Sequence, residues 1–511
     1  MSNPSKYMIL LTYLLFFTAS CQETYQLRFE LVTPDGFDLQ EDVSRLVISA
    51  GDQTEVVTCS REGCPFDAKF TFTEGALARV SVHGYDADSG LVAAGYSPSF
   101  VAVDAGMELA LFFAPINQGS VIDAQFEAAP LDGGLEPLLT SDDGLLASNV
   151  GTLIFGGREQ DTVDATPVDD VWFYDPYLLS LVMLEPLTLP LANPAIMDLK
   201  DGNFLLFGGR TTGGEISGAL LFYSTSSQQA AGSHVISLPA ETAPPPTYGA
   251  QTVELGPFDG LYDLATGQYL LDAYLMFSGT TEDGSEAPIT WVLVYYNLAS
   301  STTTIVTRPT EFTLPAGVHA TGFNTGDASL RLFLPEVRQW LSATVVTGEQ
   351  GLEFRLGTEE VAGLPQRTGW RLVWFEERVL AVAGRDEQGR CTGEWFDVDL
   401  GGLQVREMSS RVGHCDSAFV RMGAMILELG GVDETDAPHE ATGWVMRIGD
   451  GGLSVQETMA LPMSRPRLEP SVFVLPTGAV AVFGGTDPVG GAPVPSLEMI
   501  ILDPRKSHEP R

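Results

Sequence analysis

Nine basic side chains in this 511-residue chain are candidate ligand-binding groups. Three arginines directly follow short apolar runs that end in glycine, and six Arg or His residues precede later apolar runs. The nine are Arg158, Arg210, His319, Arg367, Arg385, Arg411, His414, Arg465 and Arg467. Because a guanidinium group binds a carboxylate or phosphate through two parallel hydrogen bonds, these residues suit an acidic ligand such as a uronate or a sialylated glycan.

Two other interpretations of these bases stay open. Acidic residues lie in the same segments and could satisfy the arginines through local ion pairs. They are Asp161, Asp164, Glu215, Glu282, Asp283, Asp386, Asp433 and Glu434. His414 could make a purely structural hydrogen bond, or it could act in catalysis together with Arg411 and a carboxylate.

Sequence signatures of common catalytic and cofactor sites are absent from the chain. It contains no HExxH, GxSxG or P-loop motif, and no GxGxxG that opens a helix. The segment Asp86–Gly90 begins like a calcium loop but lacks the third ligand and the distal Glu, so it is interpreted as a turn. We therefore expect no resident cofactor and no metal.

The charge of the chain is strongly acidic. Its 67 Asp and Glu residues outnumber 27 Lys and Arg, which gives a formal net charge of −40. A surface of this sign repels phosphate backbones, so nucleic acid is excluded as a general partner.

Residues 1–20 predict a lipoprotein signal peptide. An apolar run from Tyr7 to Phe17 is too short to span a bilayer permanently. The small residues that follow, Thr18, Ala19 and Ser20, lead directly into Cys21. This resembles the lipobox of bacterial lipoproteins, although Thr18 stands where that family usually has Leu. The resemblance implies a lipid on Cys21, a membrane tether and an outer-membrane or cell-surface location; plain cleavage is the alternative.

Lipidation of Cys21 would leave four cysteines, an even number that suits an oxidising compartment. Cys59 and Cys64 bracket a short loop and are expected to pair, which leaves Cys391 and Cys415 for a second disulfide. Two buried free thiols are the alternative for the second pair. Without a CxxC and a partner pair, a cysteine-type zinc site is not expected.

Residues 21–117 predict a small β-sandwich. Seven segments in this stretch alternate apolar and polar residues and are separated by Gly, Asp and Pro turns. The region resembles the immunoglobulin-like modules of secreted bacterial proteins, although it has no Cys…Trp…Cys core.

The remainder of the chain is repetitive. Apolar runs end at Gly157, Gly209, Gly279, Gly384, Gly431 and Gly485, with an eroded copy at Pro335. The residues that precede these ends are 52, 70, 56, 49, 47 and 54 positions apart, and the interval of 70 implies an insertion. Each run has further strand-like segments on both sides, often with an aromatic residue in the next strand. Four strands in about fifty residues is typical of one propeller blade.

This pattern of apolar run, Gly-Gly, aromatic strand and Leu-Pro stop resembles the kelch repeat. The resemblance covers residues 120–505 and implies a kelch-like β-propeller over 118–507, seven-bladed, or six-bladed if the degenerate region 280–340 is an insertion. It also implies that the candidate bases share one loop face. The tryptophans of the aromatic strands, Trp172, Trp395 and Trp444, are expected to pack between blades rather than to bind sugar.

The last repeat lacks a fourth strand, and residues 120–127 form a strand-like segment ahead of the first repeat. We expect this segment to close the ring by pairing with the last blade, because open sheet edges would otherwise be exposed; an ordinary linker strand is the alternative. The expected function is non-catalytic binding of a protein or glycan through the loop face. A carbohydrate-active enzyme (lyase, epimerase or oxidase) and a purely structural envelope protein are the alternatives.

Overall fold

The computed structural model describes most residues between 24 and 504. Outside the description are residues 1–23, 35, 61–63, 65–69, 74, 102–107, 122–124, 127–143, 148–151, 157–165, 177–178, 201, 226–231, 240, 317, 319, 327, 376–377, 400–403, 409–412, 450–451, 492–493, 495 and 505–511. The prediction of an all-β chain is confirmed, and the helix α1 is a single turn, Leu39–Asp42. Within the described ranges, no helix is both long and apolar enough to cross a bilayer.

The chain divides into two compact units. Unit one comprises Met1–Ile116 with two short segments, Pro176–Leu179 and Pro476–Gly478. Unit two comprises Asn117–Asp175, Ser180–Leu475 and Ala479–Arg511.

All seven predicted segments of unit one contain strands. The strands are β1 (Thr24–Val32), β2 (Arg45–Ala50), β3 (Gln53–Thr58), β4 (Phe70–Thr73), β5 (Leu77–Ala78), β6 (Val80–Tyr85), β7 (Leu91–Tyr96), β8 (Phe100–Val101) and β9 (Glu108–Pro115). Seven of them are hydrogen-bonded in the order β3-β2-β6-β7-β9-β1-β4, while β5 pairs with β8. The first half of β1 pairs antiparallel with β4 and the second half pairs parallel with β9.

The core of unit one follows from the period of two in its strands. Leu46, Ile48 and Ala50 of β2 are fully buried, and the residues between them are only partly buried. Buried side chains of β2, β4, β6 and β9 belong to one hydrophobic cluster. Strands that lie far apart in the hydrogen-bonding order therefore share a core.

The described residues of unit two form seven antiparallel four-strand arrays, here called sheets one to seven in the chain order of their first strands. Sheet one consists of β12 (Gly144–Ala147), β13 (Thr152–Phe155), β14 (Val171–Asp175) and β15 (Ser180–Met183), joined by β11 (Gln125–Phe126). Sheet two consists of β16 (Ala195–Asp198), β17 (Asn203–Phe207), β18 (Leu220–Ser224) and β19 (Gly232–Ile236). Sheet three consists of β21 (Gln251–Asp263), β22 (Gln268–Phe277), β24 (Pro288–Asn297) and β25 (Thr302–Thr313), with β20 (Thr247–Tyr248) and β23 (Thr280–Thr281) as a separate pair.

The remaining sheets repeat this order. Sheet four consists of β26 (Thr321–Gly326), β27 (Ser329–Leu334), β28 (Gln339–Gly348) and β29 (Gly351–Glu360). Sheet five consists of β30 (Arg371–Phe375), β31 (Arg378–Val382), β32 (Trp395–Asp399) and β33 (Val405–Met408). Sheet six consists of β34 (Ala418–Met422), β35 (Met425–Leu429), β36 (Ala441–Gly449) and β37 (Gly452–Ala460). Sheet seven consists of β38 (Ser471–Val474), β39 (Val480–Phe483), β40 (Glu498–Ile500) and β10 (Gly119–Val121).

The first strands of the seven sheets contact one another in sequence. β12 contacts β16, and the contacts continue through β21, β26, β30 and β34 to β38, which in turn contacts β12. The series of neighbours is therefore cyclic.

Hydrophobic cores lie between neighbouring sheets. Alternate residues of β17 serve two of them: Phe204 and Leu206 pack with sheet one, whereas Leu205 and Phe207 pack with sheet three. Further cores join sheets three and four, four and five, five and six, and six and seven. A ring contact between Tyr174 and Phe483, with centroids 6.2 Å apart, connects sheets one and seven. Burial of both faces explains why these strands are continuous apolar runs.

The glycines that follow the second strands are required for two structural reasons. Gly208 has a φ of +73°, and a Cβ there would lie 2.0 Å from the carbonyl oxygen of Thr247. Gly430 has a φ of +71°, and a Cβ there would lie 2.2 Å from the carbonyl oxygen of Arg467. Left-handed backbone and close approach to the next loop together require a residue without a side chain.

The segment 120–127 divides between two sheets. Gly119–Val121 pair antiparallel with β40 of sheet seven, whereas Gln125–Phe126 pair parallel with β15 of sheet one. The Asn117 side chain also accepts a hydrogen bond from the backbone N–H of Asp503 at 3.0 Å. The start of unit two and the last described residues of the chain thus meet at sheet seven.

Both predicted cysteine pairs are disulfides in the structure. Cys59 is bonded to Cys64 in unit one, and Cys391 is bonded to Cys415 in unit two. Cys21 lies outside the described residues.

Candidate functional site

A cavity of about 570 Å³ lies where the first strands of six sheets begin. Its lining comes from sheets two to seven and comprises Asn193, Gln251, Ala320, Trp370, Arg371, Leu372, Ser417, Ala418, Phe419, Glu469 and Pro470. The residues lie within two positions of the first residue of each first strand. The repeat of the fold therefore brings side chains to one place that are far apart in sequence.

The lining of this cavity is mixed in polarity. Arg371 and Glu469 form an ion pair with 3.6 Å between Nη2 and Oε1. The side chain of Gln251 donates to the carbonyl oxygen of Val318 at 2.7 Å, and Phe419 supplies a partly buried aromatic ring. Amide, ion-pair and aromatic groups together suit a polar ligand with some apolar surface.

The sequence-predicted base Arg367 is held by protein groups. It is 7% exposed, donates to the Glu394 carboxylate at 2.8 Å, and lies 5.1 Å from the centre of the Trp370 ring and 5.4 Å from that of Phe396. Arg210 lies over the ring of Tyr248 at 4.5 Å. These two arginines stabilise loops through ion-pair and cation–π contacts.

Arg385 forms an ion pair with Asp416 and donates to the carbonyl oxygen of Gly389 at 3.1 Å. The hydrogen bond that Arg385 donates to the Asp416 carboxylate raises the pKa of Arg385 despite partial desolvation. Arg385 lies in the loop between β31 and β32 of sheet five, where it bridges to Cys391, and this ion pair links it to the loop before sheet six, which contains Cys415 of the disulfide.

Arg467 is completely buried. Its guanidinium donates to the carbonyl oxygens of Gly484 and Ser496, to the hydroxyl of Ser496, and to Oε2 of Glu498 at 3.0 Å. Desolvation lowers the pKa of Arg467, and the attraction of Glu498 opposes that effect. Arg465 is exposed nearby.

Arg158, His319 and Arg411 lie outside the described residues. Of the described candidates, Arg367, Arg385 and Arg467 form ion pairs with Glu394, Asp416 and Glu498, none of which is among the acids named from the sequence, and Arg210 makes a cation–π contact. The cavity itself is lined by another arginine, Arg371, which sequence reasoning did not select.

His414 belongs to a compact cluster with Glu428 and His439. His414 donates from its backbone N–H to Oε1 of Glu428 at 2.7 Å, and its Nδ1 lies 3.0 Å from Oε2. The imidazole of His439 stacks on that of His414, with 3.6 Å between the centroids and 4° between the planes. One ligand atom from each residue lies within 4.8 Å of the others.

Burial controls the protonation of this cluster. Glu428 has no exposed surface, and desolvation raises the pKa of its carboxyl group, although the His414 hydrogen bonds partly offset this. Burial and then the neighbouring His414 lower the pKa of His439 to about 3, so His439 is neutral. Burial thus opposes charge on both groups, while the geometry brings imidazole nitrogen and carboxyl oxygen to close range.

The cluster adjoins the cavity through Ser417. This residue lines the cavity, and its hydroxyl donates to the carbonyl oxygen of His414 at 2.7 Å and contacts Oε1 of Glu428 at 3.2 Å. The cavity and the cluster are thus neighbouring features of sheet six.

Sequence reasoning missed Glu428 and His439, although a signal was present. Glu428 lies two residues before a Gly-Gly pair, where the other repeats have apolar residues: Ile154, Leu206, Met276, Leu332, Ala381 and Val482. A charged residue at an otherwise apolar, doubly buried strand position requires a compensating partner.

The three repeat tryptophans are buried, and Trp395 and Trp444 lie in the core between sheets five and six, as the packing interpretation predicts for them. Trp172 and Trp444 are 5% exposed and Trp395 is 0% exposed. Trp395 of sheet five and Trp444 of sheet six make an edge-to-face contact with 4.6 Å between ring centroids.

In comparisons with known proteins, no protein-family profile and no curated protein matches this chain.

Proposed function

We propose that unit two is a seven-bladed β-propeller of the kelch type. Seven consecutive sheets with the same strand order, the cyclic contacts of their first strands and the pairing of β10 with β40 support this architecture. The eroded repeat around Leu332 is the second strand of a complete sheet, which favours seven blades over six. The shared core of unit one supports an immunoglobulin-like sandwich in which β1 contributes to both layers.

The mature protein begins at Cys21, which carries the lipid that tethers it to the outer membrane or cell surface. The apolar run and small residues before Cys21 support this location. Two disulfides, one in each unit, support an oxidising compartment.

The propeller binds a glycan, without catalysis, in the cavity at the start of its first strands. The observation that carries this proposal is the cavity of about 570 Å³ with polar lining from Asn193, Gln251 and the Arg371–Glu469 pair, beside the Phe419 ring. Its volume lies in the range of small-ligand sites. A sugar offers hydroxyls to amide and ion-pair groups and an apolar face to an aromatic ring.

A neutral sugar fits better than the acidic ligand suggested by the arginine pattern. Arg367 and Arg385 are paired with Glu394 and Asp416, and Arg371 faces Glu469. A carboxylate ligand would have to displace an acidic side chain from one of these pairs.

A glycan array probed with the full chain, followed by calorimetric titration of the hits, tests this function. Ala320→Trp fills the cavity and Phe419→Ala removes its aromatic ring; each should weaken binding at least tenfold, about 1.4 kcal/mol. Arg355→Ala, at an exposed pair with Glu353, is the control. Binding that survives both cavity variants, or an array without hits, would refute the glycan proposal; a protein partner at the same face is then the candidate to test by pull-down.

A carbohydrate-active enzyme is the second candidate, because His414 and the Glu428 carboxylate lie within hydrogen-bond distance beside the cavity. A carboxylate-oriented imidazole is a competent general base. Turnover of a bound glycan that is abolished by His414→Gln would favour this alternative over simple binding.

A further inference from the structure

We infer that His414, Glu428 and His439 form a binding site for a divalent transition-metal ion of the Zn²⁺ class. Two imidazoles and one carboxylate are the protein ligands of one common type of catalytic zinc site, which leaves a fourth position for water or substrate. The inference does not depend on glycan binding.

The three residues are held together by the backbone of sheet six. Glu428 lies within β35, while His414 precedes β34 and is fixed by its N–H bond to Oε1. The loop with His439 is tied by the N–H of His439 to the carbonyl oxygen of Gly431 at 2.9 Å. Reciprocal backbone bonds of 2.9 Å between Cys415 and Val432 join the two loops. The site is therefore largely pre-formed, which lowers the entropic cost of binding an ion.

The distances between ligand atoms suit a metal, but the two imidazole rings must reorient on their backbone to bind it. Zinc bonds to nitrogen and oxygen of about 2.0–2.1 Å in a tetrahedron place neighbouring ligand atoms about 3.3 Å apart. Nδ1 of His414 and Oε2 of Glu428 are 3.0 Å apart, so an ion that replaces the shared proton pushes them slightly apart. The stacked rings must tilt away from parallel, because the ion lies near the plane of each imidazole it binds.

The ligand types select among ions. Imidazole nitrogen favours Zn²⁺, Co²⁺, Ni²⁺ or Cu²⁺ over Ca²⁺ and Mg²⁺, which prefer oxygen. The nearest cysteines, Cys391 and Cys415, are bonded to each other and offer no thiolate. Asp433 interacts electrostatically with both imidazoles and adds negative charge near the ion.

The cluster also explains why a carboxylate occupies a fully buried strand position. An isolated charge there is costly, whereas a charge that binds a cation is compensated. Glu428→Gln removes the negative charge and keeps the shape of the side chain. It should therefore reduce the affinity for the metal much more than it lowers the unfolding free energy.

The test uses the full chain without a histidine tag, since added histidines bind the same ions. The protein is stripped with a chelator, dialysed and titrated with Zn²⁺ by calorimetry, and bound metal is counted by plasma mass spectrometry. We expect one Zn²⁺ per chain, and at least a thirtyfold loss of affinity in Glu428→Gln and in His439→Gln. His234→Gln, an exposed histidine of β19, is the control and should bind normally.

A measurement on the unmodified chain keeps the inference testable even if the variants fail to fold. X-ray absorption of the zinc-loaded protein should show nitrogen and oxygen neighbours, with the multiple scattering of about two imidazoles and no sulfur. No bound zinc, a sulfur neighbour, or unchanged affinity in folded Glu428→Gln and His439→Gln would overturn the site. Glycan binding measured on the same samples distinguishes this failure from failure of the proposed function.

Discussion

Replacing Arg467 by Met should strongly destabilise unit two, because it leaves the Glu498 carboxylate buried without its cation. Both side chains are 0% exposed, and their charged atoms are 3.0 Å apart. The remaining donors to Glu498 are the backbone N–H and the hydroxyl of Ser464, at 2.6 and 2.9 Å. Neither of them carries a charge.

The magnitude follows from the charge and from the lost hydrogen bonds. Breaking a buried pair by removing one partner costs about 3–5 kcal/mol. The carbonyls of Gly484 and Ser496 lose their donor in Arg467→Met and equally in Arg467→Met/Glu498→Gln, so their cost cancels when the two variants are compared. Glu498→Gln removes the uncompensated charge, so the double variant should recover most of the penalty for a broken buried pair, roughly 3 kcal/mol.

Urea unfolding followed by tryptophan fluorescence measures this in the full chain. All seven tryptophans of the sequence lie between Trp172 and Trp444, within unit two, so unit one does not contribute to the signal. Arg355→Met, at an exposed pair, should cost under about 1 kcal/mol. A cost for Arg467→Met as small as that of the control, or a double variant no more stable than the single one, would refute the reasoning.

Three further predictions concern stability and use the same fluorescence assay. Burial raises the pKa of Asp272 to about 6, so folding favours the protonated carboxyl group and the wild type loses stability as the pH rises from 4 to 6. Asp272→Asn should therefore gain about 1 kcal/mol of unfolding free energy at pH 8, after allowance for solvent screening, and nothing at pH 4. A gain that does not depend on pH would contradict this. Gly119→Ala places a Cβ 1.9 Å from Oε1 of Glu498 and should lower the unfolding free energy by about 1–3 kcal/mol. Gly449→Ala, with open space around the new Cβ, is the control and should be nearly neutral. Equal losses in the two variants would count against the close approach at Gly119. Reduction or Ala replacement of Cys391 and Cys415, 24 residues apart, should lower unfolding free energy by about 3 kcal/mol, and an unchanged urea midpoint would contradict a disulfide there.

The sheets of unit two were largely predictable because their strands carry a local signal. Apolar runs and the glycines after them recur at regular intervals, and a backbone of positive φ, as at Gly208, restricts the residue type. Even the eroded repeat around Leu332 keeps enough apolar residues for a four-strand sheet. The boundary within 120–127 was not predictable, since two residues of one segment pair with each of two sheets.

The candidate site was predictable only in part. The expected acidic partners of the arginines were chosen from the same loops, but Arg385 pairs with Asp416 and Arg467 with Glu498, 31 residues apart in each case. Such partners depend on the register of neighbouring strands and on packing, which short spacing does not reveal. Glu428 was not predictable from loop composition, because this carboxylate lies inside strand β35.

The pairing of β10 with β40 in sheet seven has a consequence for biogenesis. The backbone of Asp503 bonds to Asn117, 386 residues earlier. A ribosome or an export channel delivers the chain from its amino terminus. It must therefore release almost every residue before β10 can pair with β40. Contacts at such separation form late and slowly. A chain truncated shortly before Glu498 would lack β40. The backbone groups that β40 normally pairs with would then be exposed and able to hydrogen-bond with another polypeptide.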